Sequence, residues 1–162
     1  MTIVHDFGCL DRVTYTVAHL MDLPNAVTPP FSNPATEERT MSECYLPTHE
    51  WGRRDGDHVV IGLSAFAAGE VGEVIHVELP KVGATVSRGK ACAEIESVKS
   101  VNDYYAPVDG TIAAVNTALA TSPELLNQDP LGKGWFAKVK PSAANPLTGL
   151  LTTDAYQKQL KK

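Results

Sequence analysis

The chain has 162 residues, enough for one domain with a moderate core, and a net charge of −5 with acidic and basic residues intermixed. It has no basic stripe, which speaks against nucleic acid as a partner, and no apolar run as long as a membrane span. The three cysteines, Cys9, Cys44 and Cys92, show no paired spacing, which fits a reducing compartment rather than a disulfide framework.

Residues 1–40 carry little that is domain-like. Val13 to Val27 is mildly apolar but is interrupted by Asp22 and Pro24, and no basic cluster precedes it, so it is not a secretory signal. Arg12 and Arg39 stand against Asp6, Asp11, Asp22, Glu37 and Glu38, a balance that argues against a mitochondrial presequence. Pro29-Pro30-Phe31-Ser32-Asn33-Pro34 reads as a linker. Residues 1–40 are therefore expected to be a dispensable extension, and 41–162 the domain.

From Thr48 onward the signals are mostly strand and turn. Asp55-Gly56-Asp57 marks a tight turn, and the β-branched run His58 to Leu63 a buried strand. Ser64 to Gly69 is expected to be a short helix, capped by Ser64 and stopped by Gly69. Gly72 to Pro80 alternates, except that Ile75 and His76 break the period of two, as a bulge would. Gly72-Glu73-Val74-Ile75-His76-Val77 aligns with Gly110-Thr111-Ile112-Ala113-Ala114-Val115, and a second strand follows in each half: Ala91 to Glu96, then Trp135 to Val139. Two such units, each too small to bury its own apolar face, imply two packed sheets related by an approximate two-fold. Ser122-Pro123-Glu124-Leu125 reads as a helix start. So does Asn145-Pro146, with Leu147, Leu150 and Leu151 facing inward and Gly149 weakening the pattern.

Between the two halves lies Glu96-Ser97-Val98-Lys99-Ser100. A lysine at a hairpin tip is placed to carry something. It is poorly placed to be a buried catalytic base, because nothing there removes it from water. Other chemistry fails to assemble. Gly83 to Ala91 imitates a phosphate loop but has five residues between its glycines and Ala91 where a hydroxyl belongs, so it reads as strand, turn, strand. The five histidines lack metal-site spacing, and no Gly-x-Ser-x-Gly or Cys/His pair is present. Trp51 and Trp135 are expected to be core anchors.

One resemblance draws these pieces together. Thr48-His49-Glu50-Trp51, Gly72-Glu73-Val74, Glu78-Leu79-Pro80, Glu96-Ser97-Val98-Lys99-Ser100, Tyr105-Ala106-Pro107, Gly110, Ser122-Pro123-Glu124-Leu125 and Gly134-Trp135 follow one another in that order. The set resembles the glycine cleavage system H-protein family from about Leu46 to the C-terminus. The resemblance implies a mainly β, lipoyl-domain-like β-sandwich (a barrel-sandwich hybrid) with an internal two-fold repeat, a few short helices and one at the C-terminus. It implies lipoic acid joined as an amide to Lys99, with Glu96, Ser97, Val98 and Ser100 forming the attachment turn. Glu50 and Asp103 would hold the loaded arm. Read without the family, Glu50 could be a plain surface carboxylate, and Asp103 could pin the turn by accepting from backbone amides.

The implied role is a non-catalytic shuttle. Its partners would be a glycine decarboxylase, an aminomethyltransferase, a dihydrolipoyl dehydrogenase and the lipoyl-attaching enzymes. A monomer in a bacterial cytoplasm is expected, with the mitochondrial matrix as the alternative. Val98 and Ser100 argue against two other carriers: 2-oxoacid dehydrogenase lipoyl domains place Asp before the lysine, and biotin carriers flank it with Met. A lipoate relay or redox adaptor with no part in glycine oxidation would show the same turn. The chain departs from the family pattern at Phe66, where a histidine is usual, at Thr48, where serine is, and at Ser100-Val101-Asn102, where smaller residues are.

Overall fold

The computed structural model describes residues 42–161; the extension and linker expected within residues 1–40 lie outside them. The described chain opens with three antiparallel strands, β1 (Cys44–Tyr45), β2 (Glu50–Asp55) and β3 (His58–Leu63). The Asp55-Gly56-Asp57 turn closes β2 onto β3: Asp55 faces His58, and Gly56 takes φ 60°, a left-handed value that a Cβ resists. The β-branched run of β3 is buried from Val59 through Leu63, as its composition suggested.

Ser64 caps the first helix, α1 (Ala65–Val71), its Oγ accepting from the Ala67 N–H at 3.2 Å. The helix does not stop at Gly69 as expected. An interior glycine costs a helix only about 1 kcal/mol, and termination comes at Gly72, which turns to φ 82°.

The strands β4 (Val74–Glu78), β5 (Thr85–Val86), β6 (Ala91–Ser97), β7 (Val101–Tyr105), β8 (Gly110–Val115), β9 (Ala137–Pro141) and β10 (Leu151–Thr152) complete two sheets. One has seven strands in the order β10-β1-β2-β3-β9-β8-β5; the other has three, β4-β6-β7. The internal duplication is visible in the pairing. In the first half β4 pairs with β6, in the second β8 pairs with β9, and both pairs are antiparallel. Both ladders also slip at the aligned position, between Val74 and His76 in one and between Ile112 and Ala114 in the other. The bulge expected near Ile75 is therefore present, and it is repeated at Ala113.

The halves also exchange strands. β5, from the first half, pairs with β8; β7, from the second, pairs with β6. Neither half can leave without unpairing the other. The sheets meet over a shared core, where Tyr104 of β7 stacks on Phe136 at 4.3 Å and donates its hydroxyl to Gly62 O of β3 at 3.1 Å. Val74, Val77 and Ile95 from one side meet Val59, Ile61, Ile112 and Val139 from the other. The mainly β sandwich is thus as expected.

Local differences lie in the second half. Its last long strand begins at Ala137 rather than Trp135, although the Phe136 N–H already bonds Ile61 O. A short helix, α2 (Ala118–Thr121), precedes α3 (Leu125–Gln128), which starts one turn after Ser122-Pro123 and takes no side-chain cap from Ser122. The C-terminal helix, α4 (Thr153–Leu160), begins eight residues beyond Asn145. Gly149 at φ 80° breaks the run there, and Thr152 becomes the cap, accepting from the Ala155 N–H at 3.3 Å. Leu147 and Leu150 are buried nonetheless. Cys44 is fully buried, and Cys92 is a free thiol.

Candidate functional site: a lysine on a locked hairpin

Val98, Lys99 and Ser100 join β6 to β7; Val98 and Lys99 form the tip, and both are exposed. Neither has positive φ, so the turn is not one of the mirror-image types that usually close such a hairpin. Ser97 holds its shape instead. Its N–H donates to Ser100 O at 2.8 Å, its Oγ donates to the same oxygen at 3.1 Å, and its Oγ accepts from the Ser100 N–H at 3.2 Å. Asn102 Nδ2 then donates to Ser100 Oγ at 2.8 Å. The hairpin also leans on the chain before β4, since the Val98 N–H donates to Glu73 O at 3.0 Å.

The lysine stem lies across Gly72. A Cβ built on Gly72 would stand 3.2 Å from Lys99 Cε and 3.7 Å from Nζ. Gly72 therefore serves twice: its left-handed φ ends α1, and its missing side chain makes room for the lysine. Asn127 of α3 fixes this stretch by donating to Gly72 O at 2.7 Å and accepting from the Val74 N–H at 3.1 Å. The sequence offered only a helix start nearby. A polar amide directly after the apolar pair Leu125-Leu126 was the available signal.

Glu96 faces Val101 across the hairpin and is exposed, as is Asp103 four residues beyond Lys99. Asp103 does not pin the turn; it sits within β7 opposite Glu94, too far along the strand to reach the tip amides, and Ser97 has that task. Glu78, Glu94 and Asp103 form one cross-strand row on the outer face. Like charges set opposite one another weaken a sheet, so this row does not serve stability.

Glu50 is no surface carboxylate: it is 2% exposed. Thr48 Oγ1 donates to its Oε2, and the Tyr105 N–H of β7 to its Oε1 at 3.4 Å. Burial pushes its pKa up, against the hydrogen bonds that favour the ionised form. A raised folded-state pKa contributes stability that is present below the unfolded value, near pH 4, and lost as pH rises through the folded one. Glu50→Gln has no proton to lose there. Its melting temperature should gain on that of the parent as pH rises from about 4 towards neutrality. A constant difference across parallel pH melting curves would refute this.

The neighbours of Glu50 are tied together. His49 has φ 84°, strained for a side chain with a Cβ. Its Nδ1 meets Tyr156 Oη at 2.7 Å, and Ser64 Oγ lies 2.8 Å from the same hydroxyl, so α4 is fastened over the start of α1. Phe66, where the family pattern puts a histidine, is exposed with its ring 5.1 Å from that of His49. Cys92, near Glu50, is half-buried, and desolvation pushes its thiol up to about 12, which makes it unreactive. Trp51 is fully buried, as expected of a core anchor, and Trp135 partly so.

A mainly β sandwich that holds one exposed lysine at the tip of a rigid hairpin has the build of a carrier domain. The comparisons with known proteins agree. The glycine cleavage H-protein family model matches residues 43–162. The glycine cleavage system H protein of Thermus thermophilus is 47% identical over 117 residues, 72% of this chain and 91% of that one. That of Mycobacterium avium is 48% identical over 118 residues, 70% of this chain and 89% of that one. The crystal structure of a glycine cleavage system H protein from Mycobacterium marinum matches with a TM-score of 0.69 and 37% identity, covering 75% of this chain and 98% of that one. The chain belongs to the glycine cleavage H-protein family.

Proposed function

We propose that this chain is the lipoyl-carrying shuttle of the glycine cleavage system. It would take an aminomethyl group from glycine decarboxylase to the aminomethyltransferase, and electrons to dihydrolipoyl dehydrogenase. The observation that carries the proposal is the placement of Lys99: exposed, on a turn locked by Ser97, with Gly72 leaving space beneath its stem.

The residues present fit lipoic acid. Lys99 Nζ, once deprotonated, attacks the carbonyl of an activated lipoyl ester held by the attaching enzyme; the amide forms, the activating group leaves, and the lysine loses its charge. When bound, lipoic acid supplies a dithiolane that takes up and releases groups by thiol exchange. The chain's part is mechanical and electrostatic. Ser97 and Ser100 hold the anchor, with Glu96 and Val98 beside it. Tyr105 lies four positions beyond Val101, about 13 Å along β7 at roughly 3.3 Å per residue. Asp103 on that strand, and Glu50, which already accepts from the Tyr105 N–H, would hold the loaded arm. A cationic amine arriving there would favour the ionised form of Glu50 and offset its burial.

We place the domain at residues 41–162, with 1–40 as an extension, and a non-catalytic monomer in a bacterial cytoplasm. The start of the family match at residue 43 supports the boundary. Among the described residues no helix is long and apolar enough to cross a membrane. Glycine–bicarbonate exchange with purified glycine decarboxylase tests the role. The lipoylated chain should support exchange and the unmodified chain should not. Fully lipoylated protein that gives no exchange would sink the shuttle and leave a lipoate relay or redox adaptor.

A further inference from the structure

We infer that Asn127 is a positioning residue for the attachment lysine: its side chain clamps the segment on which the Lys99 hairpin rests. The inference builds on the proposal that Lys99 receives the lipoyl group.

The carboxamide of Asn127 uses both of its donors and its acceptor on one stretch of chain. Nδ2 donates to Ala68 O at 3.0 Å and to Gly72 O at 2.7 Å, and Oδ1 accepts from the Val74 N–H at 3.1 Å. Ala68 lies in the last turns of α1, Gly72 ends that helix, and Val74 opens β4. Carbonyls at a helix C-terminus have no partner within the helix, so this stretch needs an outside one. Glu73 sits between the two clamped residues, and its oxygen accepts from the Val98 N–H. Gly72 lies under the stem of Lys99. Asn127 thus holds the residues on either side of the hairpin's backbone support, and one of them is the floor beneath the lysine.

A purely architectural role explains this poorly. The core contact of α3 is made by Leu126, which is fully buried, while Asn127 is exposed. Asparagine is a weak helix former whose side chain competes with the backbone. The bond to Gly72 O is exposed, so water can replace it if the amide is removed, which limits the loss to the fold. The hairpin loses more, because Glu73 is freed to move. An enzyme that must meet one shape then meets several, and the rate of attachment falls with the fraction correctly posed.

The test uses the unmodified full chain, a lipoate–protein ligase, lipoate and ATP, with Lys99→Arg as the blank. For Asn127→Ala the Val98 amide should exchange about tenfold faster while that of Tyr104 is unchanged. Lipoylation kcat/KM should fall by about tenfold, with melting within a few degrees of the parent. Asn127→Asp keeps an acceptor for Val74 but loses both donors. It should behave like the alanine variant, and it decides the matter if alanine does not fold. Unchanged Val98 exchange or unchanged kcat/KM would overturn the inference. So would an equal rise in exchange at Val98 and Tyr104 with a large drop in melting temperature, since that marks a general loss of structure. If the parent itself is not lipoylated at Lys99, the proposed function fails instead, and the exchange data alone judge the clamp.

Discussion

Lys99→Arg is expected to abolish lipoylation and to reduce glycine–bicarbonate exchange to the blank, while the melting temperature should move by no more than about 2 °C, the scale of a surface substitution. The chemistry sets the first half of this result. An amide forms only on a neutral amine, and a guanidinium keeps its proton in any protein environment. Charge and stem are retained, so lost activity is not lost attraction. The structure sets the second half. Lys99 is exposed and forms no ion pair among the described residues, and the turn is held by Ser97 and Ser100 rather than by the lysine. The longer arginine passes over Gly72, which has no side chain to obstruct it, and can swing into water. Intact mass reads the outcome directly. A lipoyl increment remaining on the arginine variant places the attachment elsewhere in the chain.

Much of this site was legible because its elements are local. The hairpin around Lys99 is read from two strands and a polar turn, and the bulge at Ile75 from a broken alternation; both depend only on neighbours in sequence. The strand exchange between the halves was not legible. β5 has two residues, too few for any period, and it pairs with β8 across the boundary between the halves. The strands β1 and β10 are equally short, and they meet across most of the described chain. The C-terminal helix was misplaced because Asn145-Pro146 carries the proper start signal; Gly149 then enforces a φ that no helix accepts. Thr48-His49-Glu50 reads as surface by polarity alone. Glu50 is buried because it opens β2 opposite Leu63, inside the sheet, where Thr48 and the Tyr105 amide meet its oxygens. Asp103 and Ser97 both suit a turn by residue type, and only the register shows which one stands at it.

The largest loss of stability should come from Trp51→Ala, at about 4 kcal/mol, the usual scale for deleting a buried indole. Trp51 is fully buried, its Nε1–H donates to Leu63 O at 2.9 Å, and its cross-strand partner is Gly62. The ring lies where a side chain on Gly62 would go: a Cβ there would stand 2.5 Å from Cζ2 and 2.7 Å from Cε2. Gly62 therefore lacks a side chain because Trp51 occupies the space. Gly62→Ala alone should cost about 2 kcal/mol, because a buried ring has nowhere to retreat. The strain would also reach the site, since Gly62 O accepts the hydroxyl of Tyr104 from β7, the strand that leaves the lysine hairpin. In the Trp51→Ala background the same methyl group enters a cavity, and Gly62→Ala should cost nothing or add stability. The two substitutions are then coupled by about 2 kcal/mol or more, at the upper end of the range for residues in contact. Urea melts of the four proteins measure it. Additive losses would mean that the indole does not fill the space above Gly62, and that the close approach of β2 to β3 has some other cause.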